Sequence, residues 1–255
     1  MARFANIKSS YETFSEALPE CESLSDARGQ KKESSQSVAK TVPPNFLVKE
    51  DKMTYIAVGT EFLTANKDQL DSVPLSTPDP NISLRTEADV YGHLRSTLVN
   101  ELGRAIDMDP THRDKLRIVA EIQLNTLCVD VSFRYKRGGT EKTLMIIKLK
   151  KAKYIETTHF RSALYRRDML DSSLQPYVHN HNKNLRNQES GLMQLKQVTA
   201  YSKLSSYRYA ALCHYVSLIL FTFSSDWTKA EVVILDATGF RKALLGFLLE
   251  FVRST

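Results

Sequence analysis

Three strand-like runs follow one another at residues 117–124, 129–135 and 143–150, and the connections between them are too short to hold a helix. Gly138-Gly139 supplies the turn between the second and third runs. Immediately upstream, Val90, Leu94, Leu98, Leu102 and Ile106 recur every four residues, which marks one face of a helix. Thr86-Glu87-Ala88-Asp89 gives that helix a hydroxyl cap and acids in its first turn, and Pro110 ends it. The opening pattern is therefore helix, strand, strand, strand.

The second half repeats the alternation. A polar stretch runs to Gln188, a helix is expected over 189–204, and strand-like runs follow at 209–214, 216–223 and 230–235. A last helix, 238–252, is rich in leucine and phenylalanine. Order and spacing predict an α/β fold with a mixed central β-sheet flanked by helices, built on an αβββαβ core over residues 82–255. Six of the eight prolines precede residue 81, so residues 1–81 are expected to form a flexible, largely irregular N-terminal arm. Within it, 22–45 reads as a linker, while 46–64 holds Phe46-Leu47-Val48 and Tyr55-Ile56-Ala57-Val58, apolar enough to dock on the main domain. With 42% hydrophobic residues the chain can bury a core. No run approaches the ~18 apolar residues of a membrane span, and the start lacks an apolar leader segment, so a nuclear or cytoplasmic location and no membrane partner are expected.

Chemistry concentrates on the strands. Asp130 lies in Val129-Asp130-Val131, and the third run, Leu144-Met145-Ile146-Ile147, ends in Lys148-Leu149-Lys150. Side chains at i and i+2 of a strand share a face ~6 to 7 Å apart, so Lys148 and Lys150 point to one place. A carboxylate followed by a lysine at the end of a buried strand resembles the PD-(D/E)XK nuclease-like superfamily, in particular a branch common among fungal proteins. Asp130 matches the motif aspartate and Lys150 the motif lysine, but Lys148 stands where the motif has an acid. Gln197-Val198-Thr199-Ala200-Tyr201 is similar to the glutamine-bearing helix after the motif strand, and residues 240–248 are similar to the family's closing segment. The resemblance implies a restriction-endonuclease-like fold, catalytic positions at Asp130, Lys148, Lys150 and Gln197, and Mg²⁺ or Mn²⁺ as cofactor if the site is active, otherwise none. Phosphodiester hydrolysis of that kind needs at least two carboxylates around the hard cation and an ammonium to orient water. Lys148 removes one ligand and adds a repelling charge.

An acid supplied from elsewhere would restore the set. Glu189 begins the helix that carries Gln197, two turns earlier, and Glu101 and Glu87 lie on the first helix; Asp130, Glu101 and Glu189 are the metal-ligand candidates. The bland reading makes Glu101 a solvent-facing helix glutamate and Lys148 an internal ion-pair partner of Asp130. Gln197 and Tyr201, at i and i+4, would contact phosphate or the motif lysine, or pack with polar tips outward.

Charge is uneven along the chain. Residues 1–80 carry nine Lys and Arg against twelve Asp and Glu, whereas 131–187 carry thirteen against four. Arg134, Lys136, Arg137, Lys142, Lys148, Lys150, Lys151, Lys153, Arg161, Arg166, Arg167, Lys183 and Arg186 make this basic excess, which is expected to gather around the motif and to contact DNA or RNA. A solvated basic face is the alternative. His179-Asn180-His181 lacks further ligands at useful spacing and reads as a loop. Cys21, Cys128 and Cys213 form no C-x-x-C pair, and the last two read as small buried hydrophobes. No phosphate-binding loop, nucleophile elbow or dinucleotide fingerprint is present. Three functions remain open: a nuclease-like domain with a degenerate metal site that binds nucleic acid, an active metal-dependent endonuclease with a displaced acid, and a regulatory or effector protein acting through a protein partner.

Overall fold

The computed structural model describes residues 8–18, 23–24, 38, 40–72, 74–75, 83–84, 86–124, 127–150, 154–166, 189–236 and 238–254. In chain order the elements are β1 (Lys8–Ser9), α1 (Ser10–Ser15), β2 (Ser23–Leu24), β3 (Phe46–Lys49), α2 (Lys52–Ala65), α3 (Lys67–Asp71), β4 (Pro74–Leu75) and β5 (Ser83–Leu84). There follow α4 (Glu87–Leu94), a π-helical turn (Arg95–Val99), α5 (Asn100–Met108), β6 (Leu116–Leu124), β7 (Leu127–Arg137) and β8 (Thr140–Leu149). The chain continues through α6 (Thr157–Ser162), β9 (Leu164–Tyr165), α7 (Glu189–Ser205), β10 (Tyr209–Cys213), β11 (Ser217–Phe223), β12 (Lys229–Asp236) and α8 (Phe240–Ser254).

Eight strands form one mixed sheet in the order β6-β7-β8-β10-β11-β12-β3-β9. The β6–β7–β8 meander is antiparallel, β10 lies parallel to β8, and β10–β11–β12 is again antiparallel. A parallel neighbour requires a crossover, and α7 provides it between β8 and β10. The expected helix, three strands, helix, strand order thus runs through residues 87–213. No helix of the described residues is long and apolar enough to cross a membrane.

Local chemistry explains the helix before the meander. Thr86 and Asp89 form a reciprocal cap, with Asp89 N donating to Thr86 Oγ1 (3.1 Å) and Thr86 N donating to Asp89 Oδ2 (2.8 Å). Val90, Leu94, Leu98, Leu102 and Ile106 are all buried. At 3.6 residues per turn, a spacing of four drifts by about 40° per step. The π turn in the middle, being wider, takes up part of that drift and keeps the stripe on the core.

The N-terminal part differs from the expected arm. β3 pairs parallel with β12 and with β9, placing residues 46–49 inside the main sheet. Helix α2 crosses α8 so closely that a Cβ on Gly246 would overlap the Tyr55 carbonyl and lie 2.9 Å from Gly59 N. Phe14, Leu18, Phe62, Leu63 and Leu70 join the same buried cluster as Phe133 and Leu244. Residues 46–71 are therefore part of the domain, and the proline-based division at residue 81 does not separate the fold. Pro43 and Pro44 precede β3 and Pro74 opens β4, so these prolines lie among elements of one domain and not at its border. The linker reading of 22–45 falls mostly outside the described residues.

The sheet has a packed core on each face. On one side α1, α2, α4, α5 and α8 cover Val131, Phe133, Met145, Ile147 and Leu149. On the other, α6 and α7 cover Ile146, Leu212, Phe221 and Val232. Cys213 is fully buried with its thiol pushed up to about 12 by burial, in keeping with a small hydrophobe. Cys21 and the Cys128 side chain lie outside the described part.

Candidate functional site

A β-bulge decides which side chains meet. Gly138 and Gly139 take φ of 57° and 83°, the left-handed pair a two-residue hairpin loop demands, and the turn sets Arg137 opposite Thr140. Continued unbroken, that register would put Lys148 on the face of Val131 and Phe133, away from Asp130. Between Phe133 and Arg134 the register shifts: Arg134 opposes Thr143 but Phe133 opposes Met145, so Leu144 is the extra residue. Leu144 and Met145 both enter the same core, and every later β8 side chain changes face. Lys148 and Lys150 then point with Asp130 toward α7.

There Lys148 Nζ donates to Asp130 Oδ1 at 2.8 Å, and the Leu149 backbone N–H donates to Asp130 Oδ2 at 2.6 Å. The two side chains are 10% and 20% exposed, so the pair is largely out of water. Helix α7 closes the site. The Tyr201 ring lies 5.9 Å from Lys148 Nζ, and Gln197 Nε2 donates to the Tyr201 hydroxyl at 3.1 Å. Lys150 is also buried, 5.8 Å from the Tyr154 ring, and its N–H donates to the Cys213 carbonyl at 2.8 Å. Gln194 Nε2 donates to the Tyr154 carbonyl at 3.0 Å and ties the segment after β8 to the helix.

The structure thus unites Asp130, Lys148 and Lys150 with Gln197, which acts through Tyr201. It adds Tyr154, Gln194 and Ser132, which the linear reading did not single out. Parity held the signal for Ser132, two residues from Asp130; Gln194 is three residues before Gln197 on the same helix. The Ser132 and Ser202 hydroxyls and Gln194 Oε1 are buried without a hydrogen-bond partner among the described residues, so this sheet–helix interface holds polar capacity beyond its ion pair.

Glu101 is placed elsewhere. It lies on α5, across the sheet, buried and bonded by Ser10 Oγ (3.3 Å) and Arg104 Nη1 (3.2 Å). Burial raises its pKa, with Arg104 and the Ser10 bond opposing. It is neither the solvent-facing glutamate of the bland reading nor within reach of Asp130, because α1 folds over it. Glu189 opens α7 as expected, but its side chain, like that of Glu87, lies outside the described part.

A divalent cation does not fit these residues. Asp130 is the one carboxylate described here, both its oxygens already accept hydrogen bonds, and an ammonium stands 2.8 Å from one of them. Among the described residues no three His, Cys, Asp or Glu side chains converge on a point.

Apart from Lys148 and Lys150, the described basic residues do not gather around the motif. Lys136, Arg137 and Lys142 are exposed at the hairpin end of β7–β8, five to seven residue positions along the strand from Asp130, or about 20 Å. Arg134 pairs with Glu141 (3.3 Å), and Arg161 pairs with Asp236 (3.1 Å) on a distant strand. Arg166 is exposed after β9. Lys151, Lys153, Arg167, Lys183, Arg186 and the His179-Asn180-His181 run lie outside the described residues.

Fold and site together define an α/β domain in which a half-buried carboxylate of β7 is held by a lysine near the end of β8. Comparison with protein-family models, with curated proteins and with solved structures finds no match to this chain.

Proposed function

We propose that this protein is a nuclease-like domain with a degenerate metal site, acting as a non-catalytic nucleic-acid-binding module. The observation that carries the first half is the Lys148–Asp130 pair: the ammonium takes the place beside the carboxylate where a divalent cation would bind. A metal ion on the same carboxylate would be repelled by that ammonium, by about 4 kcal/mol per unit charge at a separation of ~4 Å and an effective dielectric constant of ~20. The αβββαβ order and the spacing of Asp130, Lys150 and Gln197 support the nuclease-like ancestry. The chain's formal charge of +6 and its exposed lysines and arginines at the β7–β8 hairpin support a polyanionic partner.

The test is incubation of purified protein with supercoiled plasmid and with single-stranded DNA and RNA, in Mg²⁺ or Mn²⁺, beside Asp130→Ala. We expect no metal-dependent cutting above the variant's level, together with nucleic-acid binding that weakens steeply with salt. Cutting that is lost in Asp130→Ala would instead make the protein an active endonuclease.

A further inference from the structure

One concavity among the described residues lies neither at Asp130 nor on its face of the sheet. It opens at the hairpin end of β8, where the α7–β10 connection and the end of α8 meet the strand, and has a volume of about 390 Å³. Lys142, Tyr207, Arg208 and Tyr209 line it. A second hollow of about 170 Å³, lined by Tyr135, Arg137 and again Lys142, adjoins it. Lys142 and Leu144 are common to both, so the two form one groove with a lysine between its lobes.

The groove's chemistry is cationic and aromatic. Arg137, Lys142 and Arg208 are exposed, and among the described residues none of the three has an ion-pair partner. Glu141, the one acid among the described lining residues, is paired with Arg117 (3.7 Å) and Arg134 (3.3 Å). Tyr209 stacks on Phe251 with ring centroids 3.3 Å apart, and the Arg208 guanidinium lies 5.8 Å from the Tyr209 centroid. Tyr209 also packs edge-on against buried Phe247, which holds the stack, and Arg208 lines the groove beside it. Planar guanidinium and tyrosine faces are what unpaired bases stack on, and the lysine and arginines suit the phosphates between bases.

We propose that this groove binds single-stranded nucleic acid, with neighbouring nucleotides in its two lobes and the connecting phosphate at Lys142. The assignment rests on the nucleic-acid reading above but locates binding on the opposite face and opposite end of β8 from the Lys148–Asp130 pair. A lobe of about 390 Å³ lies within the ~300 to 1,000 Å³ range of small-ligand sites, and a base can enter only if it is not stacked in a duplex.

The experiment is fluorescence anisotropy of a fluorescein-labelled twelve-nucleotide oligothymidylate with the full chain, from 50 to 300 mM KCl. The groove variant Arg137→Ala/Lys142→Ala/Arg208→Ala is compared with a charge-matched control at exposed lysines of the other end of the molecule, Lys40→Ala/Lys49→Ala/Lys52→Ala. We expect the groove variant to bind at least tenfold more weakly at 100 mM salt, with the slope of log affinity against log salt reduced by about 2, from ~0.7 per single-strand phosphate contact. Single substitutions Lys142→Gln and Arg208→Gln should each lose affinity with the wild-type melting temperature retained, which separates binding from folding. Equal losses in groove and control variants overturn the groove while leaving nucleic-acid binding standing. A duplex of equal length that binds as tightly overturns the single-strand assignment. No binding by the wild-type protein at 50 mM salt overturns both readings.

Discussion

Removing Asp130 should cost more than removing Lys148, and removing both should cost less than the sum. In Asp130→Ala the buried Lys148 ammonium, 10% exposed, loses its carboxylate, and the Leu149 N–H loses a 2.6 Å acceptor. Breaking a buried pair from one side costs about 3 to 5 kcal/mol, so about 4 kcal/mol is expected. Lys148→Met leaves Asp130 with the Leu149 N–H and twice the exposure, and methionine fills the lysine's path beside Tyr201; about 2 kcal/mol follows. The double variant has no buried charge to strand and should lose about 3 kcal/mol, giving a coupling of about 3 kcal/mol. The assay is urea unfolding at pH 7, followed by circular dichroism and by the fluorescence of Trp227, the single tryptophan. Losses that add to within ~0.5 kcal/mol would refute the pair as a coupled unit, and with it the account of Lys148 as the resident cation.

Other consequences follow from the same contacts. Lys148→Glu sets a second carboxylate beside Asp130 and removes the repelling charge, so Mn²⁺ should raise the melting temperature of this variant while leaving the wild type unmoved; differential scanning fluorimetry reads it. Gly246→Ala would drive a methyl into the Tyr55 carbonyl and force α2 from α8, at a cost of about 3 kcal/mol or more, visible as a large fall in urea midpoint. His214 is buried and its pKa is lowered to about 4, chiefly by desolvation, with the Ile155 backbone bond opposing. The unfolded chain therefore takes up a proton at higher pH than the folded one. Stability from this group is fully present above about 6.5 and is lost as pH falls toward 4, by roughly 3 kcal/mol in all. Buried His93 shifts the same way. Glu101, with a raised pKa, acts oppositely: its contribution is largest in acid and falls as pH rises through its folded value. His214→Gln should flatten the acid limb in urea titrations between pH 4 and 6.5.

Much of this fold is legible in the amino-acid order because the signals are local. The strand runs at 117–124, 129–135 and 143–150, the diglycine turn, the Thr86 cap and the helices at 189–204 and 238–252 each sit within one or two residues of elements in the structure, apart from the start of β8, which lies three residues upstream. Backbone propensity, alternation and capping act over a few residues, and the sequence carries them directly. The facing of Asp130 by Lys148 is different. Cross-strand pairing follows from the turn only as far as the bulge at Leu144, and that bulge has no local marker, since Leu144-Met145-Ile146-Ile147 is apolar throughout. It is fixed by two cores competing for alternate side chains, a condition that exists only once helices cover both faces. The same holds for β3, whose place between β12 and β9 depends on an edge made nearly two hundred residues later, and for Glu101, buried by a helix from the chain's start. Sequence determined which elements form and which residue types are available. Packing between distant segments decided which of them face one another, because burial is a property of the assembled layers and not of any one strand.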